Sequence, residues 1–142
     1  MSQSINDKFY EYLKKTLEAS IRFRGMDPVF EALTFQESIV VEIIGSREPV
    51  SMSELAKAYG TLPNTMTGIV DRLVKRSIVE RKPSAKDRRS ILVKLTEYGF
   101  SLHKHHKQRL RKYTSQLLKV LTLEERKTLV DLFERIIRTL SE

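Results

Sequence analysis

Residues 81–99 read Arg81-Lys82-Pro83-Ser84-Ala85-Lys86-Asp87-Arg88-Arg89-Ser90-Ile91-Leu92-Val93-Lys94-Leu95-Thr96-Glu97-Tyr98-Gly99. The stretch constrains the fold more than any other in the chain. Ile91, Val93 and Leu95 alternate with Leu92 and Lys94, the period-2 pattern of a half-buried strand. With residues 79–82 as a partner, it predicts two short strands joined by a basic, proline-containing loop. A helix with a basic face of its own, starting near Pro63, runs directly into this ribbon. A helix followed by a charged ribbon can hold duplex nucleic acid at two places.

The charge distribution points the same way. The net charge is +8, which favours polyanionic partners. Between Arg72 and Arg89 the basic residues are Arg72, Lys75, Arg76, Arg81, Lys82, Lys86, Arg88 and Arg89, opposed only by Glu80 and Asp87. A second basic run extends from Lys104 to Lys119, with no acidic residue between Glu97 and Glu124.

The remaining elements follow from periodicity and capping. Ile5, Phe9, Tyr12, Leu13, Thr16, Leu17 and Ile21 recur at helical spacing, predicting an amphipathic helix over 5–24 that ends at Gly25, Asp27 and Pro28. Thr34 with Glu37 forms a capping-box pattern opening a second helix, defined by Phe35, Ile39, Ile43 and Ile44 and running to about Gly45. Residues 50–52 suit a very short strand. Ser51 with Glu54 opens a short helix over 53–59 that buries Leu55 and Ala56 and stops at Gly60. Pro63 suits a first helical turn, and Met66, Ile69, Val70, Leu73 and Val74 give that helix its buried face. A long helix is expected over 97–120. A last one, capped by Thr122 and Glu125, carries the apolar stripe Leu129, Leu132, Phe133, Ile136, Ile137 and Leu140.

This order makes the chain mostly α with a minor β part. Its middle is a winged helix-turn-helix, flanked by N- and C-terminal helices. Those flanking helices are more apolar than so small a domain needs, which suggests packing between two copies of the chain. The expected segments are 1–32, an N-terminal dimerisation helix; 33–96, the winged domain; and 97–142, the C-terminal dimerisation helices. Together they form one compact unit over 1–142.

The composition, 40% hydrophobic and 31% charged over 142 residues, fits one globular domain. Apolar runs such as 39–41 and 43–44 are far too short to span a bilayer. The first residues lack the layout of a signal peptide. With no cysteine there is no disulfide, thiolate metal site or thiol switch. A cytoplasmic location without membrane attachment is therefore expected.

Three stretches together resemble the MarR family of transcriptional regulators. They are Asp71-Arg72-Leu73-Val74-Lys75-Arg76-Ser77-Ile78-Val79-Glu80-Arg81; Asp87-Arg88-Arg89; and Val93-Lys94-Leu95-Thr96-Glu97-Tyr98-Gly99. The family's wing carries Asp-x-Arg followed by Leu-Thr-x-x-Gly. The match covers the middle half of the chain. The resemblance implies a homodimer whose terminal helices form the interface, binding a pseudo-palindromic operator in double-stranded DNA. It also implies a small-molecule effector pocket, often for aromatic or anionic compounds, with Tyr10, Tyr12, Arg22, Phe23, Arg24, Phe30 and Phe35 in the segments that would face it, although most of these residues read as core or dimer contacts instead. Two positions depart from the pattern. Ser77 stands where glycine is usual, so a different exit from the recognition helix is expected. Pro63 stands where serine is common, removing a phosphate-binding hydroxyl.

Base edges are read from the first turns of such a helix, here Pro63, Asn64, Thr65, Thr67 and Gly68, with Asp71 and Arg72 one turn on. Asn can pair with adenine, and Thr can meet a thymine methyl. The other reading of Asn64 and Thr65 is helix capping. Arg72 and Lys75 suit phosphates; Arg76 suits phosphate or solvent. In the wing, the family pattern makes Arg89 the residue inserted in the minor groove. Asp87 would then hold its guanidinium, or the two would simply shape the turn. Arg88 lies at or near the tip. Lys82 and Lys86 suit phosphates. Ser51 and Ser53, beside a helix start, can offer backbone N–H groups to one.

His103, His105 and His106 permit two readings: a metal site of a metal-responsive regulator, or a solvated basic face. Only His103 and His106 share a side of the helix, with no carboxylate near in sequence, so the expectation is a solvated face with no metal and no other cofactor. No phosphate loop, nucleophile elbow or metal-spaced motif supports an enzyme. An RNA-binding module is the alternative, although the basic region lacks stacking aromatics.

Overall fold

A computed structural model describes residues 4–25 and 33–140 of the chain. In order, its elements are α1 (Ile5–Gly25), α2 (Phe35–Arg47), β1 (Val50–Ser51), α3 (Met52–Tyr59), α4 (Pro63–Lys75), β2 (Val79–Pro83), β3 (Ile91–Leu95), α5 (Glu97–Leu117), a short 3-10 turn (Leu118–Val120) and α6 (Leu123–Leu140). The mostly helical winged architecture is as expected. Asp27, Pro28 and Phe30 lie outside the described residues, and so does the side chain of Arg24. The chain divides into two compact units, Met1–Lys104 and His105–Glu142. No helix among the described residues is long and apolar enough to cross a membrane.

Local chemistry sets the element ends in the first unit. Thr34 caps α2: its Oγ1 accepts from the Glu37 N–H while the Glu37 carboxylate accepts from the Thr34 N–H at 2.9 Å. Ser51 and Glu54 repeat the motif at α3. Gly60 closes α3 in a left-handed conformation, φ 77°. The same device ends α4 without a glycine. Ser77 has φ 56°, its N–H donates to the Val74 carbonyl at 2.9 Å, and the Ile78 N–H donates to that of Leu73 at 3.0 Å. The exit from α4 therefore has the paired-bond geometry of a left-handed helix stop. The expected departure does not occur: serine accepts a left-handed backbone, at the cost its Cβ imposes.

The sheet is antiparallel with order β1-β3-β2. Val79 opposes Leu95, Arg81 opposes Val93 and Pro83 opposes Ile91. Alternation sends Val93 and Leu95 into the core, whereas Ile91, at the wing end of β3, is about half exposed. The core is completed by Val40, Val41 and Ile44 of α2, Leu55 and Ala56 of α3, and Met66, Ile69, Val70 and Leu73 of α4. On α2 the buried stripe is thus displaced from the predicted one. Phe35 is exposed, Ile39 and Ile43 are half-buried, and Glu37, Ser38, Val40, Val41 and Ile44 turn inward. A charged residue enters the stripe because its charge is answered from α4, as described below.

The start of α5 is seated on the exit of α4. The Thr96 N–H donates to the Ile78 carbonyl at 3.0 Å, and the Thr96 hydroxyl donates to the Ser77 carbonyl at 2.6 Å while accepting from the Gly99 N–H at 3.0 Å. One turn later α5 meets α2 at His103. The sequence suggested a solvated basic face there; instead His103 is buried, 4% exposed. Its ring fills a notch at Gly45, where a Cβ would lie 2.7 Å from three ring atoms. Its Nε2 is 3.1 Å from a Glu42 carboxylate oxygen, without the alignment of a hydrogen bond. His105 is exposed and His106 half-buried. Among the described residues no three His, Cys, Asp or Glu side chains are grouped so as to hold a metal ion.

In the second unit, Thr122 and Glu125 form the predicted reciprocal cap on α6, with the Thr122 N–H donating to the Glu125 carboxylate at 2.7 Å. α6 has no buried residue. Val130, Leu132, Phe133, Ile136, Ile137 and Leu140 are all exposed. Leu118, Leu129, Val130, Phe133 and Ile137 border an apolar concavity of about 430 Å³. On α1, Ile5, Phe9, Leu13, Leu17 and Ile21 are likewise exposed.

Candidate nucleic-acid interface

The solvent face of α4 is built from Asn64, Thr65, Thr67, Arg72 and Lys75, all exposed. Met66, Ile69, Val70 and Leu73 hold the opposite face in the core. The helix begins at Pro63, with Leu62 in the cap position and no side-chain cap bond. Asn64 and Thr65 are thus helical residues in the first turn, and the capping role considered for them falls to neither. Thr67 does use its hydroxyl internally, donating to the Pro63 carbonyl at 3.0 Å. That leaves its methyl and its oxygen lone pairs for a partner.

The wing is shaped by side-chain to backbone bonds. The Ser84 N–H donates to the Ser90 carbonyl at 2.9 Å, closing the ribbon. The Ser84 hydroxyl accepts from the Lys86 and Asp87 N–H groups, each at 3.3 Å. The Asp87 carboxylate accepts from the Arg89 backbone N–H at 3.0 Å. Sequence reasoning offered a carboxylate gripping the Arg89 guanidinium. The bond instead goes to the main chain, because a two-residue spacing in a tight loop brings Asp87 onto the amide of residue 89. Asp87 shapes the turn and leaves the Arg89 guanidinium outside that bond. Lys86, Asp87, Arg88 and Arg89 are all exposed at the tip.

Ser51, Met52 and Ser53 of the β1–α3 junction, Thr67 of α4, and Asp87, Arg89, Ser90 and Ile91 of the wing line one groove of about 410 Å³. The tertiary structure therefore brings together five candidates that the sequence spreads over nearly forty positions: Ser51, Ser53, Thr67, Asp87 and Arg89. Asn64, Thr65, Arg72, Lys75, Lys82, Lys86 and Arg88 lie outside that lining. Ser51 is already engaged by Glu54, which takes its N–H at 2.9 Å and its hydroxyl at 2.7 Å. The N–H groups of Met52 and Ser53 have no intrahelical partner in this first turn. Lys82 is in a different position: its Nζ lies 3.4 Å from Glu80 Oε1, which also meets Lys94 Nζ at 3.0 Å. Lys94, first, and Lys82 hold the Glu80 carboxyl below its ordinary range.

Two ion-pair sets that no sequence spacing signals fix this surface in place. Arg81 on β2 meets Asp71 on α4 at 2.6 Å, tying the wing to that helix. Glu37 on α2 meets Arg72 Nε and Arg76 Nη1, each at 3.2 Å. Arg72 is therefore anchored, with about half its side chain still exposed. The cap pattern at Thr34 accounted for Glu37 locally and hid its second use, 35 and 39 residues away. Burial pushes the Glu37 carboxyl up. The Thr34 N–H, the Arg72 side chain and the Arg76 charge outweigh that effect and hold it below the usual carboxylate range.

A group whose pKa is depressed by folding contributes stability above its unfolded value, lost as pH falls through the folded one. Glu37→Gln is therefore expected to cost about 1–2 kcal/mol at neutral pH, less than a fully buried pair because both guanidinium groups reach solvent. In urea titrations the deficit should shrink as the pH is lowered through the region below about 4.5. A deficit independent of pH would show that ionised Glu37 does not hold α2 to α4.

The sequence profile of the MarR family matches residues 33–91, the winged part from the start of α2 into β3. The chain is 31% identical to the multiple antibiotic resistance protein MarR of Salmonella typhimurium over 107 residues, 75% of this chain and 72% of that protein. It is 34% identical to the HTH-type transcriptional repressor NicR of Pseudomonas putida over 79 residues, 56% of this chain but only 48% of NicR, about half its length. Among solved structures, FabT of Streptococcus pneumoniae in complex with DNA has the same fold, with a TM-score of 0.83 at 22% identity, covering 94% of this chain and 96% of that one.

Proposed function

Because the chain belongs to the MarR family, and is on that ground a DNA-binding transcriptional regulator and not an enzyme, we propose that it is a homodimeric repressor of a pseudo-palindromic operator. The observation that carries this reading is the groove in which Arg89 and Asp87 of the wing face Thr67 of α4 and Ser51 and Ser53 of α3. One strand of backbone can lie there while α4 enters the major groove. In this arrangement Asn64, Thr65 and Thr67 read base edges, and Arg89 enters the minor groove. Arg72, Lys75, Lys82, Lys86 and Arg88 meet phosphates, and the α3 start with Ser51 and Ser53 meets another.

The repressor role is supported by the named activity of NicR. The apolar faces of α1 and α6, exposed in the single chain, support the dimer. Symmetry then sets two recognition helices roughly one DNA turn, ~34 Å, apart. A small-molecule effector would release the operator by altering that separation. Tyr10, Tyr12 and Phe35 are exposed and Phe23 is half-buried, so the first three offer aromatic surface to such a ligand. The protein's place of work is the cytoplasm, with the DNA it binds.

The test is titration of the protein against duplexes recovered from a random-sequence pool. The recovered sites should be two-fold symmetric, and affinity should fall steeply with salt as phosphate contacts release counterions. Structured RNA competing as well as the selected duplex would favour an RNA-binding module and overturn the assignment.

A further inference from the structure

Gly68 is a glycine that the fold does not require. It lies inside α4, away from either end. A Cβ built there meets no atom within 4 Å, and its backbone is not left-handed. Other glycines of the chain have a structural reason: Gly60 has φ 77°, Gly45 makes room for the His103 ring, and Gly99 lies against the Ile78 carbonyl. A glycine in a helix interior weakens the helix relative to alanine. Among the described residues, nothing packed against Gly68 offsets that loss.

The surroundings indicate what offsets it. Residues 64, 68, 72 and 75 follow one another at helical spacing, so Gly68 sits between Asn64 and Arg72 on the solvent face of α4. Beside it, the Thr67 hydroxyl is folded back onto the Pro63 carbonyl. The middle of the face is therefore low in relief. The side chains offered for base reading, Asn64, Thr65 and Thr67, are also short. An arginine can span several ångströms to a base edge; an asparagine or threonine reaches one only if the helix axis comes close. Bare backbone at Gly68 is what such an approach needs.

We infer that Gly68 is a specificity-determining position: its missing side chain lets the wall or floor of the DNA major groove come into contact with α4, so that the short side chains reach the bases. This rests on the operator-binding reading above. The partner surface is duplex DNA, and the added atom at position 68 acts by holding the helix out of the groove.

The experiment compares Gly68→Ala and Gly68→Leu with wild type. The probes are a duplex selected by the wild-type protein from a random pool and an unrelated duplex of equal length, at one salt concentration. Alanine should raise the melting temperature by about 3 °C through helix propensity. It should weaken binding to the selected duplex by about tenfold or more, with leucine weaker still, and change binding to the unrelated duplex by less than about twofold. Stability and specific binding moving in opposite directions distinguishes this role from a structural one.

Wild-type affinity of Gly68→Ala for the selected duplex would overturn the inference. Equal loss on both duplexes would overturn it too, since the effect would then not concern base reading. So would a lowered melting temperature, which would show that the space at position 68 is not open. Failure of the operator-binding reading would appear separately, as wild-type protein that selects no duplex.

Discussion

Replacing Gly99 by alanine is expected to destabilise the protein by about 3 kcal/mol or more, the upper range for overpacking a rigid site. The alanine Cβ would stand 2.0 Å from the Ile78 carbonyl oxygen and 3.0 Å from its carbon. Those are main-chain atoms, so no rotamer change relieves the clash. Ile78 itself is 1% exposed and cannot move outward without opening the core. Relief by shifting α5 would break the Thr96 N–H bond to the same carbonyl and the Thr96 hydroxyl bond to Ser77. The damage falls at the junction where α4 ends and α5 begins. Urea unfolding followed by circular dichroism measures it; an unchanged midpoint would mean that the two segments are not in this contact. Exposed Gly60 makes a useful contrast, because alanine there meets open space and only backbone strain.

Arg89→Ala is expected to weaken operator binding by about 100-fold or more, with little change in melting temperature. A well-placed arginine contact with DNA is worth about 1–3 kcal/mol, and the proposed symmetric dimer would lose it twice. The side chain is exposed, and the turn that carries it is closed by Ser84, Asp87 and Ser90 through main-chain bonds. The wing should therefore keep its shape in the variant. Lys86→Ala serves as the control: a phosphate contact should cost less and reduce the salt slope by about one per contact. If Arg89→Ala bound as tightly as wild type, the guanidinium would not be in the groove. Asp87→Ala should weaken binding as well, through a loosened turn, because its carboxylate holds the residue 89 amide.

The elements were legible in the sequence wherever the signal is local. The reciprocal pairs Thr34/Glu37, Ser51/Glu54 and Thr122/Glu125 each placed a helix start to within a residue or two, since a cap needs only a three-residue spacing. Pro63 marked the start of α4 for a similarly local reason. Where the sequence misled, a contact distant along the chain was responsible. Phe35 looked like a core residue by periodicity, yet Glu37 holds the inward position because Arg72 and Arg76 come to meet it. His103 sits in a basic run and looked solvated, yet Gly45, on another helix, leaves a notch for its ring. Ser77 departs from the family's residue type, yet it takes up the left-handed backbone that glycine adopts most freely.

By itself the sequence determined the helix starts, the ribbon and the concentration of positive charge on the middle of the chain, because capping, alternation and net charge act over a few residues. The tertiary structure decided how those parts face one another. It placed Ser51, Ser53 and Thr67 across one groove from Asp87 and Arg89, tied β2 to α4 through Arg81 and Asp71, and anchored Arg72 on Glu37. Such pairings join residues ten to nearly forty positions apart. They form only when packing of the shared core fixes the distances between helices and sheet, and no local pattern encodes those distances.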